Sequence, residues 1–384
     1  MFQKNLILGF RSLKKNLSSS VINLVGLVIG ITCCLLIFSF VKYETSFDQF
    51  HTKKDRIYRI NYDVLMGGSE TISPSVPVFV APEVKKRFPE VEDATRFMPE
   101  WSPRTIRRGD VLFDEKNFCY ADPNFFKVFD FKPIAGDLNT ALDKPNTLVI
   151  TKDMAIKYFG KENPLGKGLL FNNKKEFIVS AVIENVPSNS HFTFDFLTSF
   201  YSIPGFDSSE SQIQWNNPNY STYLLLKPHT NVATLSDKIE AWVNPLSEKN
   251  QSANQNALHL RLESLNDVHF NTQVFNFQNQ LAVTDFKYIR IFITIAVLVL
   301  LIACANYINL ATAKTSSRSK EVGIRKTIGA SFGQLFIQFM AESFLLVLVS
   351  VIVSIVAVKF LLPYLNNLLG KDIPFYIFQS SFFP

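Results

Sequence analysis

Cysteine and histidine are scarce in this chain of 384 residues, which has four cysteines and five histidines. Only Cys119 lies outside the long apolar runs, so the polar part of the chain has no cysteine pair for a disulfide. No two histidines stand four residues apart, as paired zinc ligands on one helical face do. They are His51, His191, His229, His259 and His269. The sequence therefore predicts neither a disulfide framework nor a metal site.

Motifs for nucleotide binding and nucleophilic catalysis are also missing. GKENPLGKG at residues 160–168 has one residue too many for a phosphate-binding loop and a glycine where the hydroxyl belongs. No G-x-S-x-G segment occurs. We predict no catalytic residues and no cofactor, and an enzyme would need a cluster of perturbed titratable groups that only a structure can show.

Charged residues are absent from two long apolar runs and nearly absent from a third. Residues 21–41 and 291–313 are uncharged, and each is long enough to cross a hydrocarbon core of about 30 Å. Residues 341–362 also cross if Glu342 and Lys359 lie near the two interfaces. We predict three transmembrane helices, which hold too few polar groups for an ion path.

The first run has the position of a secretory signal, because basic residues precede it. It exceeds the usual apolar segment of about 7 to 15 residues, and no small-x-small cleavage pattern follows it. We predict an uncleaved anchor. Before it, apolar residues recur at helical spacing in residues 1–20, so this segment is predicted to be a cytoplasmic amphipathic helix, with an ordinary basic flank as the alternative.

Basic residues mark one side of the predicted helices. Residues 1–20 hold four basic and no acidic residues, and residues 314–326 hold five basic residues and Glu321. Because Lys and Arg stay preferentially on the cytoplasmic side, both segments are predicted to be cytoplasmic and residues 42–288 to lie outside. The net charge of +6 thus reflects topology, and no nucleic-acid partner is predicted.

The long segment between the first two runs mixes strand and helix patterns. Alternating apolar residues predict strands at residues 58–64, 175–183, 220–227 and 257–265. Helical spacing predicts helices at residues 78–88, 151–160 and 232–243, the second capped by Thr151 and ended by Gly160. The interleaving predicts an α+β domain of two subdomains, with the polar residues 204–219 as a boundary or insertion.

The segment SSRSKEVGIRKTIGAS, residues 316–331, separates the second and third runs. If residues 320–339 form one helix, a single apolar stripe results, consisting of Ile324, Ile328, Phe332, Leu335 and Phe339. Gly323 and Gly329 each cost about 1 kcal/mol against alanine in a helix and permit a bend or a close contact. A basic loop explains the charge but neither the glycines nor the stripe, so we favour a docking helix for a cytoplasmic protein.

Several sequence blocks resemble the permease subunits of ABC transporters of the MacB and FtsX type. EVGIRKTIGAS and the later FMAES are similar to the cytoplasmic loop and next span of that family. FDQFHTKKDRIYRI, ADPNFFKVFDFKPIAGD, TKDMAIKYFGKENPLGK and VIENVPSNSHFTFDF follow the order of its periplasmic core. The resemblance extends from residue 1 to about residue 365.

The resemblance implies a non-catalytic subunit of the bacterial inner membrane. A separate cytoplasmic ABC ATPase would bind the inner loop, and ATP-driven closure would be relayed through the first two helices to the outer domain. It also implies a second permease unit or second half of the same chain, contact with membrane lipid and a periplasmic adaptor protein. The ATPase-coupling residues implied by position are Glu321, Gly323, Ile324, Arg325, Ile328, Gly329 and Ala330.

The predicted fold class is an α-helical membrane protein with three transmembrane helices and a large α+β extracytoplasmic domain between the first and second. The predicted segments are 1–20, 21–41, 42–288, 289–313, a coupling segment at 314–340, 341–362 and an outer segment at 363–384. The family has four spans per unit, so we expect the N-terminal part of a longer permease. The alternative is a membrane-anchored sensor or ligand-binding module, for which the inner loop is too small to serve as a signalling domain.

Overall fold

The protein is described by a computed structural model that covers residues 17–66, 69–206, 218–250, 259–274, 283–313, 319, 322–324, 326–329 and 331–376. Within these ranges, side chains are described except at 17–20, 64–66, 69–70, 244 and 246–250. The chain divides into two compact units. The helical unit comprises the chain up to Thr45 and from Phe286 onward, and the sheet unit comprises Ser46–Asp285.

Eight α-helices are found in the described part of the chain. They are α1 Leu17–Thr45, α2 Val80–Arg87, α3 Phe125–Val128, α4 Lys152–Phe159, α5 Val232–Asn250, α6 Leu265–Val268, α7 Phe286–Ala313 and α8 Phe332–Leu369. In α1, α7 and α8 the length and apolar composition suffice to cross a membrane. The predicted fold class, three such helices with an α+β domain between the first and second, is confirmed.

The strands of the sheet unit are short and numerous. They are β1 Ile57–Met66, β2 Ser69–Ser73, β3 Val91–Pro99, β4 Arg104–Arg108, β5 Val111–Glu115, β6 Phe118–Ala121, β7 Pro133–Gly136, β8 Thr147–Thr151, β9 Gly168–Phe171, β10 Lys175–Ile183, β11 Phe196–Ser199, β12 Ser221–Leu226 and β13 Leu260–Ser264.

These strands form one mixed sheet in the order β13-β1-β12-β3-β6-β11-β8-β10-β9-β4-β5, with β2 beside β1 and β7 beside β10. The pairs β8–β10 and β6–β11 are parallel, and the other pairs are antiparallel. The sheet is continuous through the unit, and the division into two subdomains stays a prediction.

The predicted elements of the sheet unit are largely confirmed. Strands at 58–64, 175–183 and 220–227 correspond to β1, β10 and β12, and the three predicted helices correspond to α2, α4 and α5. The strand predicted at 257–265 is β13, although residues 257–258 lie outside the described part. Most of the predicted boundary at 204–219 also lies outside it.

The predicted side-chain cap of α4 is wrong. Thr151 occupies the N-cap position with extended backbone, but its side chain makes no capping hydrogen bond. Its hydroxyl instead lies 3.5 Å from Oδ1 of Asp195. The hydroxyl therefore contacts the residue that directly precedes β11 instead of the helix. Gly160 ends the helix as predicted, with φ of 60°.

In the helical unit, α1 packs against both other helices. Cys34 Sγ lies 3.4 Å from the carbonyl oxygen of Ala296 in α7, and the Ser354 hydroxyl of α8 donates to the carbonyl of Val28 at 3.1 Å. Between α7 and α8, the Tyr307 hydroxyl donates to Ser343 Oγ at 2.7 Å. These contacts make α7 antiparallel to the other two helices, so the end of α7, the start of α8 and the start of α1 lie at the same end of the unit.

Two glycines one helical turn apart let α1 and α7 approach closely. A Cβ placed on Gly30 would lie 2.8 Å from Cβ of Ala303, and one on Gly26 would lie 2.9 Å from Nδ2 of Asn306. Small residues spaced by four are the usual means by which membrane helices bring their backbones together. The NLVGLVIG segment therefore sets the distance between the first two helices.

We expect Gly30→Ala to weaken the packing of α1 on α7. The close contact costs about 1–3 kcal/mol, against the roughly 1 kcal/mol gained by removing a helical glycine. The thermal midpoint of the full chain in detergent should fall, and Ala303→Gly on the same chain should restore it. Gly333→Ala is the matched control, because no atom lies within 4 Å of its added Cβ. A midpoint unchanged by Gly30→Ala would contradict the close approach.

Candidate functional site

The predicted coupling segment is described only in part. Gly323, Ile324, Ile328 and Gly329 belong to the described residues, and Glu321, Arg325 and Ala330 lie outside them. Residues 322–324 and 326–327 are helical. The coupling role of all seven residues stays a prediction.

The single helix over residues 320–339, on which the apolar stripe is conditional, is interrupted at residues 328–329. Residues 328–329 form a turn, and Gly329 has φ of 95°, a conformation that ends a helix and favours glycine. Ser331 then caps α8 through a capping box with Gln334. The predicted stripe is therefore divided between two helical segments, and Phe332, Leu335 and Phe339 belong to α8.

Apolar side chains on this segment are exposed within the chain. Ile324 is 55% exposed, Ile328 80% and Phe332 76%. The glycines do not serve close packing within the described residues, since nothing lies within 4 Å of a Cβ added to Gly323 or Gly329. Gly329 permits the bend instead. The segment presents isoleucine side chains that a further protein surface could cover.

A second candidate site lies in the sheet unit, immediately after α1. Asp48 is 1% exposed and has φ of 57°, a conformation uncommon outside glycine. Its amide donates to the carbonyl of Asn189 at 2.9 Å, and the His191 amide donates to its Oδ1 at 3.1 Å. The Asn189 side chain donates in turn to the carbonyl of Ser46 at 2.9 Å. The segment that follows α1 is thus tied to the loop 189–191.

The Asp48 carboxylate also contacts the His191 ring. Oδ2 of Asp48 lies 2.8 Å from Nδ1 of His191, whose Nε2 lies 2.9 Å from the Tyr223 hydroxyl on β12. Burial by itself would raise the pKa of Asp48, but the neighbouring His191 and His51 rings outweigh it and hold that pKa below its ordinary value. Burial raises the pKa of Tyr223, so its hydroxyl stays protonated. The three side chains form a buried polar chain from residue 48 to the sheet.

His51 extends the same group of contacts. The amide of Asp130 donates to its Nδ1 at 3.0 Å, so Nδ1 is unprotonated. The ring packs edge-on to Phe129 with centroids 5.1 Å apart. Burial lowers the pKa of His51 from 6.5 to about 4, although the Asp48 charge acts in the opposite direction. The ring is therefore neutral at ordinary pH.

The chain that returns to α7 meets the same region. The Phe47 ring stacks on the His269 ring just after α6, with centroids 3.5 Å apart and planes within 9°. The amide of Thr284, which precedes α7, donates to the carbonyl of His269 at 2.8 Å. Both chain segments that connect the units therefore contact His269. We call Phe47, Asp48, His51, His191 and His269 the junction cluster.

A buried ion pair lies at one end of the helical unit. Glu44, near the end of α1, is fully buried and pairs with Lys371, which follows α8. The Lys371 ammonium also lies 5.5 Å from the centre of the Phe40 ring. A buried charge needs its partner, so this pair fixes the end of α1 beside the end of α8.

The junction cluster and the ion pair were not predicted from the sequence. Asp48 and His191 are 143 residues apart, and Glu44 and Lys371 are 327 apart, so neither pair has a local pattern. The GxxxG spacing of Gly26 and Gly30 is the signal that could have been read. Among the described residues no group of three metal-ligating side chains converges.

Because of His51, we expect the free energy of unfolding to decrease as the pH is lowered from 6.5 to about 4. The unfolded chain binds a proton on this ring near pH 6.5, whereas the folded state resists it until about 4. The stability that the neutral ring provides is thus present above pH 6.5 and lost progressively below it, by up to roughly 3 kcal/mol.

The measurement is the thermal midpoint of the full chain at a series of pH values. His51→Asn keeps an acceptor for the Asp130 amide but cannot take up a proton, so its midpoint should depend less on pH in this range. The exposed His229 provides the control variant His229→Asn. Equal pH dependence of His51→Asn and the wild type would contradict the assignment.

Comparison with known proteins identifies relatives of moderate similarity. The macrolide export ATP-binding/permease protein MacB of Aggregatibacter actinomycetemcomitans is 25% identical over 66% of this chain and 37% of its own length. The uncharacterized ABC transporter permease YknZ of Bacillus subtilis is 26% identical over 54% of this chain and 46% of its own. The chain thus spans less than half the length of either relative.

Three solved structures are similar to the chain. A permease-protein domain from Porphyromonas gingivalis covers 60% of this chain and 97% of its own, at 23% identity and a TM-score of 0.47. The periplasmic region of MacB from Actinobacillus actinomycetemcomitans covers 56% of this chain and 91% of its own, at 16% identity and a TM-score of 0.41. The extracellular domain of the transporter YknZ from Gram-positive bacteria covers 53% of this chain and 99% of its own, at 13% identity and a TM-score of 0.37.

Two family profiles match this sequence. The MacB-like periplasmic core domain matches residues 20–242, and the FtsX-like permease C-terminal domain matches residues 293–384. The first match alone covers more than half of the chain. The resemblance read from the sequence is confirmed, and the chain belongs to the family of MacB- and FtsX-like ABC transporter permeases.

Proposed function

We propose that this chain is a non-catalytic permease subunit that relays ATP hydrolysis by a separate cytoplasmic ATPase to its sheet unit. The sheet unit stands in the periplasm and the three helices cross the bacterial inner membrane. A second permease unit, or a second half of one longer chain, pairs with the helices. The work is done on the sheet unit, as export or extraction of a substrate or as activation of a periplasmic partner.

The observation that carries this proposal is the junction cluster. A displacement of α1 reaches residues 46–52 along the covalent chain, and a displacement of α7 reaches residues 283–285. Both segments contact His269, and Asp48 is further held by His191 through buried polar contacts. Close-packed, hydrogen-bonded groups move as a body rather than yield singly. Movement of either helix is therefore passed to the sheet instead of being absorbed in a loose linker.

The coupling segment supports the second part of the proposal, the contact with the cytoplasmic ATPase. Ile324 and Ile328 are exposed on a short helix and turn between α7 and α8. An ATPase groove that covers two isoleucines would gain roughly 1.5–3 kcal/mol from each. The basic residues predicted beside them would orient the contact by charge.

We expect the wild-type chain to co-purify with an ABC-type ATPase from native membranes in mild detergent. Ile324→Asp with Arg325→Glu should lose that ATPase, because an aspartate cannot enter an apolar groove and the second change reverses a charge. The measurement is the ratio of ATPase to permease, and we expect a decrease of at least about tenfold, equivalent to about 1.4 kcal/mol.

Ile156→Asp is the matched control, since Ile156 lies in the sheet unit and is 58% exposed, close to the 55% of Ile324. It should retain the ATPase. If the folded wild-type chain brings no ATPase, the proposal fails and a membrane-anchored sensor or binding module takes its place.

We expect Asp48→Asn to retain the ATPase but to weaken the relay. Asparagine keeps an oxygen for the His191 amide but loses the charge that contacts the His191 ring. In the wild-type complex, ATP should change the hydrogen exchange of amides in the sheet unit, and in the variant this ATP-dependent change should be reduced to a small fraction.

Asp137→Asn serves as the control because Asp137 is exposed on the same unit, away from the junction cluster. An Asp48→Asn complex with a full ATP-dependent change would show that the relay does not use the cluster. Loss of the ATPase from this variant would show instead that residue 48 acts on assembly.

A further inference from the structure

A cavity of about 260 Å³ lies in the sheet unit beside the junction cluster. Its walls come from the end of β3, the start of β6, the loop 191–193 and the start of β12. The lining residues are Phe97, Pro99, Glu100, Lys116, Asn117, Cys119, His191, Phe192, Thr193, Ser221 and Tyr223. At about 30 Å³ per water molecule, the space corresponds to roughly nine waters, or a ligand of about ten non-hydrogen atoms.

The two charged residues of the lining differ in their partners. Glu100 pairs with Arg104, and the Tyr120 hydroxyl lies 3.4 Å from the same carboxylate oxygen. The Lys116 ammonium has no ion pair or hydrogen bond within the described part of the chain. The carboxylate is therefore already neutralised by the protein, while Lys116, an exposed residue of the lining, keeps its positive charge without a counter-charge. This balance favours an anionic ligand over a cationic one.

The remainder of the lining has an apolar part, formed mainly by Phe97, Phe192 and Tyr223, and a polar part, formed by Asn117, His191, Thr193 and Ser221. Phe97 and Phe192 pack edge to face with centroids 4.8 Å apart, and Phe192 and Tyr223 do so at 5.5 Å. The Asn117 amide already donates to Asp195 at 2.9 Å, and the Cys119 thiol is directed at the carbonyl of Thr193 at 3.7 Å. The apolar part of the walls thus offers ring faces and edges to a ligand.

We propose that this cavity is a binding site for a small monocarboxylate with an apolar body of branched or aromatic carbon. The carboxylate pairs with Lys116, and the apolar body lies against Phe97, Phe192 and Tyr223. No covalent step is involved. The unpaired Lys116 cation indicates the carboxylate, the aromatic walls indicate the apolar body, and the cavity volume limits the size of the ligand.

Occupancy of the cavity is linked to the junction cluster. His191 and Tyr223 line the cavity, and the same two side chains form the buried polar chain to Asp48. A ligand that packs on them stabilises the arrangement that holds residue 48, so binding and the position of the segment after α1 affect each other. This regulatory link rests on the proposed function, whereas the binding itself does not.

The test is isothermal titration calorimetry of the full chain in lipid nanodiscs with three matched probes. They are phenylacetate, the neutral phenylacetamide and the cationic 2-phenylethylamine. We expect saturable binding of phenylacetate with Kd on the order of 1 mM or below. Phenylacetamide should bind about three to ten times more weakly, and 2-phenylethylamine more weakly still.

Variants locate the site. Lys116→Gln should remove the preference for phenylacetate over phenylacetamide, while Lys161→Gln, which changes another exposed lysine, should retain it. Thr193→Tyr, at an exposed position of the lining, should block both ligands. Equal binding of phenylacetate and phenylacetamide, equal effects of the two lysine variants, or no saturable binding up to about 10 mM would overturn the proposal.

Hydrogen exchange tests the link to the junction cluster. Phenylacetate should slow exchange of the amides in residues 46–52 in the wild type and not in Lys116→Gln. Unchanged exchange despite binding would overturn the link. A chain that co-purifies with an ATPase but does not bind phenylacetate loses this inference alone, whereas one that binds phenylacetate without an ATPase loses the proposed function alone.

Discussion

The contact between the Asp48 carboxylate and the His191 ring is the interaction on which the rest of the sheet unit's junction depends. A charge that is 1% exposed is tolerated only where hydrogen bonds and an opposite dipole or charge surround it. Here the His191 amide and ring and the Ser190 hydroxyl supply that environment, and the His191 ring in turn contacts the Tyr223 hydroxyl. Because these partners belong to the loop 189–191 and His191 also contacts Tyr223 on β12, the carboxylate connects the segment around residue 48 to that loop and, through it, to the sheet.

The helical unit is organised by a different constraint, the close approach of backbones. Gly30 faces Ala303 with no room for a side chain between them, and the Glu44–Lys371 pair fixes the other end of α1. In a membrane, where apolar burial between helices gains little, contact of small residues and satisfaction of polar groups decide which helices pair. The first helix consequently has fixed contacts with both neighbours.

The two proposed sites divide the work of the protein in a physically consistent way. In the described part of the coupling segment, Ile324 and Ile328 are exposed and the backbone turns at Gly329, so these side chains are accessible to a partner surface. The junction cluster is buried and aromatic, so it resists deformation. The cavity lies beside the rigid end, where His191 and Tyr223 belong to both. A ligand bound there would contact the same two side chains that connect Asp48 to the sheet.

The sequence by itself determined the three apolar helices, the α+β character of the domain between them and the family. Uncharged runs long enough to cross a membrane, and alternating apolar and polar residues such as those of β1 and β10, are patterns within short stretches of sequence, so they can be read without the fold. It did not determine the helix break at Gly329. The apolar stripe favours one continuous helix, whereas the positive φ of Gly329 and the cap at Ser331 favour two, and only the folded chain shows which prevails. Thr151 was misread for a similar reason, because Asp195 competes for its hydroxyl. The tertiary structure alone decided the pairing of Asp48 with His191 and of Glu44 with Lys371, and it alone placed Lys116 among the residues that line the cavity. Such partners are far apart along the chain, and only folding places them within the few ångströms over which charges and hydrogen bonds act.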